Sequence, residues 1–185
     1  MRPPFGFLII DKPPGKTSRD VVNVVQYLVR PTRVGHAGTL DPLATGVLVV
    51  CLGPATRLVP FVQKGKKHYQ ATFRFGLFSE TDDVEVEPSV GPDAPAISLA
   101  DIEQVLPEFV GTIDQIPPAH SAVHVDGQRA YRLARKGAAP QLAPRQVTIQ
   151  DLSVARFDFE TQQLECVITA LVPSRCAISR PRLRI

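Results

Sequence analysis

Residues 5–22 read FGFLIIDKPPGKTSRDVV. An apolar run from Phe5 to Ile10 ends in a turn rich in proline and glycine. Gly15-Lys16-Thr17 follows, and then apolar residues at helical spacing. Strand, Gly-Lys-Thr, helix is the outline of a phosphate-binding P-loop, and a P-loop would make this a nucleotide-binding α/β protein. The spacing removes that reading. A P-loop needs a glycine five residues before Gly15, where this chain has Ile10. Pro13 and Pro14 stand where backbone N–H donors are wanted, and proline has none. What remains is a buried strand, a rigid proline turn and a helix. Thr17-x-x-Asp20 has capping-box spacing, and Val21, Val22, Val25 and Leu28 mark the helix's apolar face.

Further along, PTRVGHAGTLDPLATG (residues 31–46) is a long loop punctuated by glycine and proline, leading into the strand VLVVCLG. Long structured loops in compact domains are often functional. PATRLVPFVQ reads as a short helix. HYQATFRFGLF alternates, with Tyr69, Ala71, Phe73 and Phe75 on one face, as a half-buried strand does. The acidic stretch SETDDVEVEPSVGPDAPA reads as an exposed loop. Ser98-x-x-Asp101 opens a second capped helix that stops at Gly111. SAVHVDGQRAYRLARKG reads as a strand, an Asp-Gly turn and a basic helix, on which Arg129, Arg132 and Lys136 share a face. RQVTIQDLSVARFDF and QLECVITALV read as two more strands joined by a short turn. The pattern predicts an α+β domain, a mixed β-sheet with flanking helices.

Composition narrows the function classes. With 185 residues, 44% of them hydrophobic and 21% charged, the chain has material for one folded domain. No apolar stretch approaches the ~20 residues of a membrane helix, and the N-terminal run is too short for a signal peptide. Three cysteines without C-x-x-C spacing predict reduced thiols, a cytoplasmic setting and no zinc site. The net charge of +3 hides three blocks. Residues 1–80 hold 11 basic against 4 acidic residues, 81–118 none against 9, and 119–150 five against one. Brought together, the two basic blocks would form a face for polyphosphate or nucleic acid; left apart, they are ordinary solvated surface.

Few residues carry candidate chemistry. His120 and His124 have a zinc-like i,i+4 spacing only if helical, and AHSAVHV alternates like a strand, so no metal ligands are assigned. There is no G-x-S-x-G, and Cys51 reads as core. In GHAGTLDPLATG, Asp41 sits mid-loop before Pro42. An Asp-Pro pair is a common turn starter, and a turn or cap accounts for it by itself. The same loop carries His36 and Thr39 within a basic block. A carboxylate there would repel a polyanion, which a chemical role would justify: attack on a sugar carbon or a polarised base, or acceptance of a proton.

These residues together resemble the TruB family of tRNA pseudouridine synthases of bacterial type. LIIDKPPGKTS resembles that family's first motif and GHAGTLDPLATGVL its catalytic loop. KHYQATFRFGLFSETDD resembles the strand bearing its active-site tyrosine, and QIPPAHSAVHVDGQRAYRLARKG its second RNA-contacting motif. The four follow in order over residues 5–150. The resemblance implies the pseudouridine synthase fold and isomerisation of uridine 55 in the T loop of tRNA to pseudouridine, without cofactor or bound nucleotide. The target base must leave its stack to be reached. By the same resemblance Asp41 is the essential aspartate, acting as nucleophile or base. Tyr69 stacks on the flipped base, and His36 contacts the opened T loop. Lys12 and Pro13 buttress the catalytic loop. Arg129, Arg132, Arg135 and Lys136 touch RNA phosphates, on charge as much as on likeness. The partner is the tRNA T stem-loop, with no membrane, and the protein is expected to be a monomer.

The resemblance stops at Ile168-Thr169. The family would continue with a Ser- and Gly-containing turn, Gly-Thr-Tyr-Ile-Arg, and a helix, and its arginine there pairs with the aspartate, whereas this chain ends ALVPSRCAISRPRLRI. The expected division is therefore an N-terminal part of the catalytic domain over 1–169 and a divergent tail over 170–185, by truncation or a reading-frame slip. No C-terminal RNA-binding domain is expected. An inactive remnant with at most weak RNA binding is the alternative to an active enzyme.

Overall fold

The computed structural model describes residues 3–78, 89–90, 95–116, 124–125, 128–129 and 143–171. The chain divides into two compact units, Met1–Gly65 and Lys66–Ile185.

The first unit is a small sheet backed by a helix. Its strands are β1 (Gly6–Lys12), β2 (Val34–His36) and β3 (Gly46–Leu52), in the order β1-β3-β2, both pairings antiparallel. Helix α1 (Ser18–Leu28) links β1 to β2. Its start is the capping box read in the sequence. Thr17 Oγ1 accepts the Asp20 N–H at 3.1 Å, and Asp20 Oδ2 accepts the Thr17 N–H at 2.8 Å. Val22 and Val25, three apart and so on one face, pack against Val34, Leu48, Val50 and Leu52. A 3-10 turn (Gly53–Leu58) and α2 (Val59–Gln63) follow β3, each with a proline in its first two positions, where a missing N–H costs nothing.

Two readings of this unit need correction. The run from Phe5 to Ile10 forms the expected strand but is not buried: Phe5 is 77% and Ile9 66% exposed. β1 lies at the sheet's edge, and of this run only Ile10 reaches the core cluster; Phe5, Phe7 and Ile9 alternate onto the other face. Leu28 is exposed as well, and Val29 turns in to the core in its place.

The second unit is built on one antiparallel sheet. Its elements are β4 (Lys67–Arg74), β5 (Leu77–Phe78), β6 (Ser89–Val90), α3 (Leu99–Val105), β7 (Gly111–Gln115), β8 (His124–Val125), β9 (Gln128–Arg129), β10 (Arg145–Asp158) and β11 (Gln163–Leu171). The main sheet runs β4-β11-β10-β7. The alternation of β4 emerges as expected, with Tyr69, Ala71, Phe73 and, beyond the strand, Phe75 packed toward Ile102, Ile149, Leu164, Cys166 and Ile168. Helix α3 carries the Ser98–Asp101 capping box and passes into a 3-10 turn at Leu106, ahead of Pro107. β8 and β9 pair antiparallel, His124 opposite Arg129. Arg129 therefore lies in a strand rather than a basic helix, its backbone paired across to β8. Arg132, Arg135, Lys136, His120 and most of the acidic stretch lie outside the described residues.

Candidate functional site

The loop between β2 and β3 carries Asp41, and the turn after β1 grips it on both sides. Ser18, the first residue of α1 and only 2% exposed, donates its hydroxyl proton to the Leu40 carbonyl at 3.1 Å. The same oxygen accepts the Leu40 N–H at 2.9 Å. On the far side of Asp41, the Pro42 carbonyl accepts the Gly15 N–H at 2.8 Å and the Lys12 ammonium at 3.2 Å. Lys12 is fully buried, and its remaining donors reach the carbonyls of Pro13 at 2.9 Å and Lys16 at 2.7 Å. Three donors meet three acceptors, which is how a buried lysine is accommodated. Gly15 turns with φ +75°, a left-handed conformation that glycine adopts freely. The donors of the Pro-Pro-Gly-Lys turn thus point at the chain's own loop.

The Asp41 side chain is exposed and makes no hydrogen bond among the described residues. Its carbonyl accepts the Ala44 N–H at 3.1 Å, closing a turn inside the loop. Where the loop meets β3, the Gly46 N–H donates to Asp11 Oδ1 at 3.2 Å. The backbone on both sides of the carboxylate is fixed while the carboxylate itself stays open to a ligand.

His36 ends β2 opposite Val50, half-buried, with Nδ1 in contact with the Gly38 carbonyl. It lines a cleft of about 480 Å³ with Arg19, Arg33, Thr56 and Val59, and no carboxylate is among the lining residues. The cleft's floor is tied to α1 by Gln26, whose amide donates to the Thr32 carbonyl at 2.6 Å and accepts the Val34 N–H at 3.1 Å. In the second unit Tyr69 sits in β4 opposite Ile168, packed against the apolar cluster. No group of three metal-ligating side chains lies together among the described residues.

Ser18, Gly15, Arg19 and Arg33 are members of this constellation that sequence reasoning did not single out. Ser18 sits next to the cap Thr17 and reads locally as a second capping hydroxyl. Arg19 and Arg33 carried a signal, the basic excess of residues 1–80, but nothing local separated them from other surface arginines.

Known proteins place these residues in context. The family described as TruB family pseudouridylate synthase (N terminal domain) matches residues 26–171. A tRNA pseudouridine synthase B of Synechocystis sp. is 49% identical over 150 residues, covering 81% of this chain and 50% of the relative. The protein of that name from Rhodopirellula baltica is 42% identical over 168 residues, covering 88% and 48%. The chain spans about half the length of the curated relatives it matches. Among solved structures, the crystal structure of a Cbf5-Nop10-Gar1 complex superposes with a TM-score of 0.68 at 26% identity, over 93% of this chain and 41% of the other. Fold and sequence agree, and this chain belongs to the TruB family of pseudouridylate synthases.

Proposed function

We propose that this chain isomerises uridine 55 in the T loop of tRNA to pseudouridine, with Asp41 as the reacting carboxylate, nucleophile or base. The observation that carries the reading is the clamped loop: an exposed carboxylate whose neighbours on both sides, Leu40 and Pro42, are locked by Ser18, Gly15 and Lys12. Holding a reacting group in one geometry supplies much of what an enzyme adds. In the reaction the N-glycosidic bond breaks, the uracil turns, and C5 bonds to the ribose carbon. The C5 proton leaves and N1 regains one, so atoms balance without a cofactor.

The remaining roles follow the same reading. His36 meets the opened T loop, Arg19 and Arg33 beside it take phosphates, and Lys12 and Pro13 brace the catalytic loop. Tyr69 stacks on the displaced base, and Arg129, Arg132, Arg135 and Lys136 add phosphate contacts. Stacking and splayed bases are the usual currency of RNA-loop recognition. A cytoplasmic setting fits the free, buried thiols Cys51 and Cys166, a monomer is proposed with it, and among the described residues no helix is long and apolar enough to cross a membrane. The catalytic part is proposed to span 1–169, a range that takes in most of β11.

The test is incubation of the purified chain with an unmodified tRNA transcript, followed by mapping of pseudouridine in the T loop. Product from the wild type and none from Asp41→Asn is the expected result. Product that survives Asp41→Asn overturns the role of Asp41. RNA binding without product from the wild type supports the second reading, an inactive remnant.

A further inference from the structure

We infer that Ser18 is a positioning residue for Asp41, its hydroxyl serving the loop as a surrogate backbone partner. The inference rests on Asp41 being the reacting group.

Leu40 lies outside any strand, so no ladder supplies partners for its N–H and C=O. Backbone groups withdrawn from water must find partners elsewhere. One hydroxyl serves both: Ser18 donates at 3.1 Å and accepts at 2.9 Å, using its single proton and a lone pair. Leu40's side chain packs on the cluster formed by α1 and the sheet, so the residue is anchored at backbone and side chain together. Position 41 begins one bond further on. The Pro42 carbonyl is held independently by Gly15 and Lys12, so on the N-terminal side of Asp41 the hydrogen bonds to Leu40 among the described residues come from Ser18. Ser18 also begins α1, which makes the helix start and the catalytic loop one mechanical piece.

The hydroxyl need not be a serine for helix initiation, since Thr17 performs the cap. A purely structural serine would affect stability and leave turnover alone. A positioning serine affects kcat more than the KM for RNA, because its loss displaces the reacting carboxylate and leaves the phosphate contacts in place. A displacement on the order of 1 Å at a reacting group can cost about 100-fold in rate.

The experiment uses the full chain as wild type and Ser18→Ala, at a temperature where both are folded by circular dichroism. Hydrogen exchange is followed at the Leu40 and Val50 amides, and kcat and KM are measured on the tRNA transcript. The Leu40 amide should exchange at least about 10-fold faster in Ser18→Ala, with the β3 amide of Val50 unchanged, as expected for local loss of one partner. The kcat should fall about 10- to 100-fold with KM within about 2-fold. Ser18→Thr, which keeps the hydroxyl, should recover Leu40 protection and part of kcat. Unchanged Leu40 exchange in Ser18→Ala overturns the clamp; faster exchange with unchanged kcat overturns the positioning role. If the wild type yields no pseudouridine, the proposed function has failed, and Ser18 is judged without it. Backbone relaxation at Asp41 then decides: increased motion in Ser18→Ala upholds the inference, and unaltered motion overturns it.

Discussion

Lys12 is a charged residue with no exposed surface, and its three bonds span the turn and the Asp41 loop. Local pattern gives no hint of this. A lysine at the end of a strand reads as a solvated terminus, and only the family resemblance pointed to a supporting role. The burial arises from contacts 30 residues apart in sequence, between Lys12 and Pro42, that no window along the chain contains. Asp41 is the opposite case: its position in the loop was legible, and its exposed side chain makes no hydrogen bond among the described residues. The two therefore differ in what substitution does. Lys12→Met keeps the stem's volume and takes the ammonium from the Pro13 and Lys16 carbonyls, while the Pro42 carbonyl keeps the Gly15 N–H, so it should destabilise the folded state by about 2–4 kcal/mol. Asp41→Asn, at an exposed side chain, should stay within about 0.5 kcal/mol of wild type. Urea unfolding of both variants measures this. Equal stabilities would mean that the Lys12 bonds are not maintained in solution.

At the scale of elements, α1 is the organiser of the first unit. Its first turn holds the Asp41 loop through Ser18, its middle packs the core through Val22 and Val25, and Gln26 holds the start of β2. Both capping boxes were readable from sequence because a cap is settled within four residues. The exposed face of β1 was not, because an apolar run states that a strand forms and not which of its faces another element covers. The cap of α1 also carries a pH signature. The Thr17 hydroxyl, then the Thr17 N–H, hold the Asp20 carboxyl below the 3.8 of an unperturbed aspartate. A depressed carboxyl contributes stability above its unfolded value, and the contribution is lost as pH falls through the folded one. Loss of the N-cap hydroxyl in Thr17→Ala should cost about 1 kcal/mol at pH 7. The gap between variant and wild type should narrow below about pH 4, as Asp20 protonates in both. Denaturation series at neutral and acid pH give the comparison; a gap that widens in acid would contradict it.

For the whole molecule, the net charge of +3 matters less than its placement. The basic excess of residues 1–80 was visible in the sequence, but the cleft was not. It draws Arg19 from the start of a helix, His36 from a short strand and Arg33 from just before it, and Thr56 from a 3-10 turn. Only the folded first unit brings these three segments together, with Gln26 setting the strand against the helix. Two arginines without a lining carboxylate suit the phosphates of an RNA strand, and such contacts release counterions. Each phosphate neutralised adds about 0.7 to 0.9 to the slope of log affinity against log salt. The variant Arg19→Gln/Arg33→Gln should thus bind the tRNA transcript more weakly at low salt, with a salt slope shallower by about 1 to 2. Its kcat at saturating RNA should stay near wild type, because neither side chain touches the Asp41 clamp. Titrations across a salt series read the slope directly. An unchanged slope would show that the cleft takes no phosphate, and would move RNA recognition to other basic residues of the chain.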